Sequence, residues 1–163
     1  MPGFGIGEAA TTLIGQSIGA ARLDITRSFA RMTLCSGMIV MAVMGMVMFL
    51  FSYEMMALMT PVEEIRVLGM HCLRIEAFAE PMFAASIVVV SICVGAGDTL
   101  KPAIISLCSM WLVRLTLAYA LSIRYGLIGV WTAMAIELTL RGFLLTLRLF
   151  RGKWMRQMQS SSQ

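Results

Sequence analysis

Residues 29–52 read FARMTLCSGMIVMAVMGMVMFLFS. No charged residue follows Arg31 in this stretch. About 20 apolar residues are enough for a helix to cross the hydrocarbon core of a bilayer. The stretch therefore predicts a membrane-spanning helix. Methionine recurs in it, at Met32, Met38, Met41, Met44, Met46 and Met48. Methionine is flexible and polarisable, so such a wall suits a promiscuous apolar cavity, although lipid-facing or core filler is the plainer role.

The rest of the 163 residues agree: 59% are apolar and 13% charged, with a mean hydropathy of +0.84. A soluble domain averages about 25% charged residues and about 45–50% apolar ones. A soluble domain, a disordered chain and a disulfide-rich module all fit poorly. The expected fold is all-α and polytopic, with about five transmembrane helices.

Four further spans flank the quoted one. The first, Pro2 to about Ala20, is rich in small residues. Its Gly15-xxx-Gly19 spacing allows close helix packing in lipid, and its glycines lack the context of a phosphate-binding loop. The third runs from about Val67 to Gly95, and Pro81 is expected to kink it and free a backbone carbonyl. The fourth is about Ala103 to Ile123 and the fifth about Leu127 to Phe150. Cys35, Cys72, Cys93 and Cys108 have neither metal-ligand nor redox spacing and read as small buried hydrophobes. No metal site and no cofactor are expected. The net charge of +4 is better explained by topology than by nucleic acid.

Arg22, Arg27, Arg31, Lys101, Arg148, Arg151, Lys153 and Arg156 fall on one side of the spans. Arg66 and Arg124 fall on the other, beside Glu54, Glu63 and Glu64. The positive-inside rule then puts the C-terminus in the cytoplasm, and short loops suit a bacterial inner membrane. The first span would start outside immediately after Met1, where no signal peptide is visible. At least one preceding helix is therefore expected to be missing.

Charges inside the spans mark either function or a buried pair. Glu80, Arg114 and Glu137 lie at similar depth, and Arg114 is predicted to face one or both glutamates. Glu76 and Glu80 are i, i+4 neighbours, and two carboxylates that close resist being ionised together, which is what proton coupling needs. The competing reading is structural: Arg114 with Glu137, and Glu137 with Arg141 at i, i+4, neutralise one another and lock the bundle. His71 reads as an interface residue. Asp98 sits in a tight turn and reads as a turn residue and helix cap, with Gly95 and Gly97 as a candidate hinge.

Two segments carry a family resemblance. Gly15-Gln16-Ser17-Ile18-Gly19-Ala20 closes a helix that resembles the second helix of each half of a MATE (multidrug and toxic compound extrusion) transporter. Gly95-Ala96-Gly97-Asp98-Thr99-Leu100-Lys101-Pro102 resembles the loop after the fourth helix of each half, and Gly126 to Trp131 fits the entry to the sixth. The resemblance implies two six-helix lobes, of which residues 1–153 match helices eight to twelve, the C-terminal lobe without its first helix, followed by a cytoplasmic tail at 154–163. It implies an antiporter that exports drugs or organic cations in exchange for sodium ions or protons, with no enzymatic step. The partners would be membrane lipid, small amphiphilic or cationic substrates and the missing N-terminal lobe, with no nucleic acid. The other readings are a lipid-linked oligosaccharide flippase of the same superfamily and a non-transporting truncated fragment. Phe83 stands where one branch of the family has a cation-binding aspartate, so that site is not carried over.

Overall fold

A computed structural model describes residues 2–151. The tail at 154–163 and the basic residues Lys153 and Arg156 lie outside the described residues. Lipid offers no partner to backbone N–H and C=O groups, so a spanning segment must satisfy them within itself. Accordingly, the described chain is helical almost throughout. It comprises α1 (Pro2–Gly19), α2 (Leu23–Leu50), α3 (Ser52–Met59), α4 (Glu63–Gly95), α5 (Leu100–Cys108), a π-helical segment (Ser109–Arg114) and α6 (Leu115–Phe150).

Three helical stretches are long and apolar enough to cross a membrane: Leu23–Leu50, Glu63–Gly95 and Leu100–Phe150. The last covers 51 residues but is not one pass. Gly126 adopts φ +56° and ψ −133°, a left-handed conformation that glycine adopts at little cost. The chain folds back there. Ser109 then meets Glu137, and Arg114 meets Met134, as in an antiparallel hairpin centred near Gly126. The two arms are the fourth and fifth predicted spans. The second and third helices begin before their predicted starts, at Leu23 and Glu63. Hydropathy reports the part within the hydrocarbon, not the helical turns that extend beyond it.

The helix α4 is the central element and packs against α1, α2 and α6. The core joins Ala10 and Ile14 of α1, Ala30 and Leu34 of α2, Val88, Val89 and Ile92 of α4, and Leu145 and Leu149 of α6. Small residues set these approaches. A Cβ on Gly142 would strike the backbone of Met82, one on Gly45 would lie 2.8 Å from the carbonyl oxygen of Ala77, and one on Gly37 would lie 2.9 Å from Val88. The predicted Gly15/Gly19 pair is not the tightest contact of α1. A Cβ on Gly19 meets nothing within 4 Å, whereas one on Gly7 would lie 2.7 Å from Ser91 Oγ. Gly19 lies in the last turn, beyond the stretch where α1 crosses α4.

Replacing Gly142 by leucine should destabilise the bundle by about 3 kcal/mol, because the obstacle is backbone and cannot rotate away. The readout is the thermal unfolding midpoint in detergent, with Gly19→Leu as the control expected to leave it unchanged. An unaltered midpoint for Gly142→Leu would contradict this packing.

The cysteine expectation needs correction. Cys72 and Cys93 are buried, but Cys35 and Cys108 are exposed on the outside of the bundle. A thiol is apolar enough to sit against lipid, so hydropathy alone does not distinguish inward from outward positions.

Candidate functional site

The central helix carries the acidic pair. Glu76 and Glu80 stand one turn apart on α4 and are both partly buried, and the Oε2 atom of each is buried without a hydrogen-bond partner. Glu76 lies within electrostatic reach of Glu80 and of Arg114. The next residue after Glu80 is Pro81, inside the helix. Proline has no N–H, so the carbonyl of Ala77 loses its usual helical donor. Gly45 of α2 packs at this point, against the Ala77 carbonyl and the Glu80 stem. The unpartnered carboxylate oxygens thus sit beside a break in the hydrogen-bond ladder. A buried carboxylate oxygen without a donor is costly as an anion and is satisfied by a proton or a metal cation.

Arg114 is not where the sequence reading put it. Among the described residues it forms no ion pair with Glu80 or Glu137. Its Nη2 lies 2.6 Å from the Sδ of Met134, and Glu76 is the acid whose field it shares. Two causes act together. Arg114 ends the π-helical segment, whose wider turn shifts the angular position of every side chain after it. Glu137, meanwhile, already has partners. It is fully buried, it accepts a 2.8 Å hydrogen bond from Ser109 Oγ, and its Oε1 lies 3.4 Å from Arg141 Nε, one turn along the same helix. An i, i+4 partner on one rigid helix needs no tertiary alignment. Glu137 Oε2 and Arg141 Nε still lack well-directed hydrogen bonds. Ser109 was missed in the sequence. Its only signal was a hydroxyl within an apolar span at the depth of Glu137.

The family-type segments meet at the opposite end of α4. A Cβ on Gly15 would lie 3.7 Å from the carbonyl oxygen of Gly95, and one on Gly95 would press on the backbone of Thr11. Thr11 Oγ1 also donates to the Ser91 carbonyl at 3.0 Å. Gly95 is therefore a packing residue rather than a free hinge. Gly97 has φ +78° and makes the turn. Gln16 and Thr99 are exposed, and Pro102 is buried.

Asp98 is not the expected helix cap. No side chain caps α5, and the Asp98 carboxylate instead pairs with Arg148 in the last turn of α6. A guanidinium gives a charge-assisted bond, stronger than that from a neutral backbone N–H. Arg148 was read only as a topology marker. Its place in a final helical turn fits the helix dipole equally well and gave no hint of a specific partner.

His71 is exposed on α4. Among the described residues, no group of His, Cys, Asp and Glu could hold a metal ion.

The MatE family model matches residues 1–120, most of the chain. The chain belongs to the MatE family. Among relatives of this MatE chain, the "Probable multidrug resistance protein NorM" of Thermotoga maritima is 28% identical over 157 residues, covering 94% of the chain and 34% of the relative. The "Uncharacterized transporter YisQ" of Bacillus subtilis is 25% identical over 157 residues, covering 95% and 34%. The "Probable multidrug resistance protein YoeA" of Bacillus subtilis is 25% identical over 146 residues, covering 86% and 32%. The chain thus spans about a third of the length of these relatives. Long apolar helices and MatE membership together make it an integral membrane protein.

Proposed function

We propose that this MatE chain works as the C-terminal lobe, helices eight to twelve, of a secondary antiporter that exports drugs or organic cations against an inward flow of protons or sodium ions. The observation that carries the reading is the Glu76–Glu80 pair: two buried, unpartnered carboxylate oxygens one turn apart, beside Pro81, which removes one hydrogen bond from the ladder of the central helix. An ion released or bound there changes the charge next to a weak point of the helix, which gives coupling a mechanical outlet. Two relatives named as multidrug resistance proteins support the substrate class. The chain would sit in a bacterial inner membrane with its C-terminus in the cytoplasm and residues 154–163 as the tail.

A flippase that holds pyrophosphate would need converging cations. Arg74 stacks on Phe49, Arg114 reaches Met134 and Arg141 pairs with Glu137. These are separate engagements, which favours the antiporter.

The test is ethidium transport by everted membrane vesicles from cells expressing the gene in its complete genomic frame, under an imposed proton or sodium gradient. Gradient-dependent accumulation in the vesicles is the expected result. No accumulation under either gradient, with the protein present in the membrane, would reject the antiporter reading.

A further inference from the structure

We infer that the groove between α4 and α6 holds a phospholipid, gripped at its phosphate by Arg74 and along an acyl chain by the groove. Arg74 is a partly buried residue of α4. Its Nε donates to Ser52 Oγ at 3.1 Å, and Ser52 is fully buried. Its guanidinium lies 5.1 Å from the centre of the Phe49 ring, and Phe49 in turn meets Phe78 edge to face at 5.5 Å. The guanidinium is thus held by two neutral neighbours. Among the described residues it has no acidic partner, and its terminal nitrogens make no hydrogen bond to the protein. A fixed, unneutralised guanidinium within a spanning helix is costly unless an anion answers it, and its planar fork matches a phosphate.

The surroundings supply the rest of the lipid's shape. Arg74 and His71 line a pocket of about 250 Å³ with Ile75, Phe78 and Ile128. Ile75 and Phe78 also line the adjoining groove of about 570 Å³, which continues past Ala79, Ala135 and Phe143. The pocket that holds Arg74 and His71 lies nearer the α3–α4 loop, and the apolar groove runs from it toward the middle of both helices. This is the order of headgroup and acyl chain in one leaflet. A basic pocket between helices, continuous with an apolar groove, is a recurrent way of holding a lipid headgroup. The inference does not depend on the antiporter reading, because the site is built from groups outside the Glu76–Glu80 pair.

Native mass spectrometry of the detergent-purified protein, expressed from its complete genomic frame, tests it. Phosphatidylglycerol is the probe. Diacylglycerol, inorganic phosphate and tetraphenylphosphonium are the comparisons. The chain should retain one phosphatidylglycerol. Arg74→Gln, and independently Ala135→Phe, which fills the groove while keeping the arginine, should each weaken binding about tenfold or more. Arg124→Gln, an exposed cation at the same end, should not. Diacylglycerol should bind much more weakly, and inorganic phosphate should not compete. The inference fails if Arg74→Gln and Ala135→Phe both retain the lipid as the parent does, or if diacylglycerol binds equally well. It also fails if Arg124→Gln loses the lipid to the same extent, or if tetraphenylphosphonium displaces it, which would mark the groove as a substrate site.

Discussion

Glu80→Gln should reduce transport driven by a pH gradient to background in vesicles that carry the complete transporter. The substitution keeps the volume of the side chain and its hydrogen-bonding capacity. It therefore preserves the contact of the Glu80 stem with Gly45 and should leave the protein folded. What it removes is the ability to alternate between a charged and a neutral state. The buried Oε2 of Glu80 has no donor, so in the carboxylate form its charge is compensated only from a distance. An uncompensated buried charge costs several kcal/mol, and loss or gain of a proton at this point is a large perturbation beside Pro81. Glutamine holds the helix in its neutral state under all conditions. The matching expectation is that drug binding to the detergent-purified transporter persists in Glu80→Gln and loses its dependence on pH. Normal pH-driven transport by a well-expressed variant would end the coupling role. The Glu137–Arg141 pair would then stand as evidence of structural neutralisation alone.

Asp98→Asn should cost about 3 kcal/mol of stability, because it leaves Arg148 largely buried without its counter-charge. The side chains of Arg148 and Asp98 are only 14% and 12% exposed, so solvent screens the pair little. The pair ties the turn after α4 to the last turn of α6. Its loss should free that turn and unseat the end of α6, where Leu149 belongs to the core. Lower thermal midpoints in detergent and faster proteolysis near Gly97 are the readouts. Asp98→Asn combined with Arg148→Met removes both charges and should recover most of the loss, since a buried pair replaced by neutral groups is often tolerated. A double variant no more stable than the single one would show that Asp98 acts through the turn itself.

The sequence by itself determined that the chain is an all-α membrane protein, where its long apolar helices lie, and which family its glycine-bearing segments resemble. These are statements about hydropathy, helical length and local turn chemistry, which act within some 20 neighbouring residues. The Glu137–Arg141 pair was equally legible, because helical periodicity alone puts those residues on one face. Only the tertiary structure decided the partners of the remaining charges. Asp98 meets a guanidinium 50 positions away in sequence, and nothing in the Gly-Asp-Thr turn names it. Arg114 is turned toward Met134 by six residues of π-helix, which no apolar pattern announced. Ser52 at the start of α3 and Phe49 in the last turn of α2 decide what Arg74 can touch. In each case the outcome depends on the angle between two packed helices. Close glycine contacts such as Gly142 on Met82 and Gly45 on Ala77 set that angle, and a one-dimensional pattern carries no information about which backbone lies opposite.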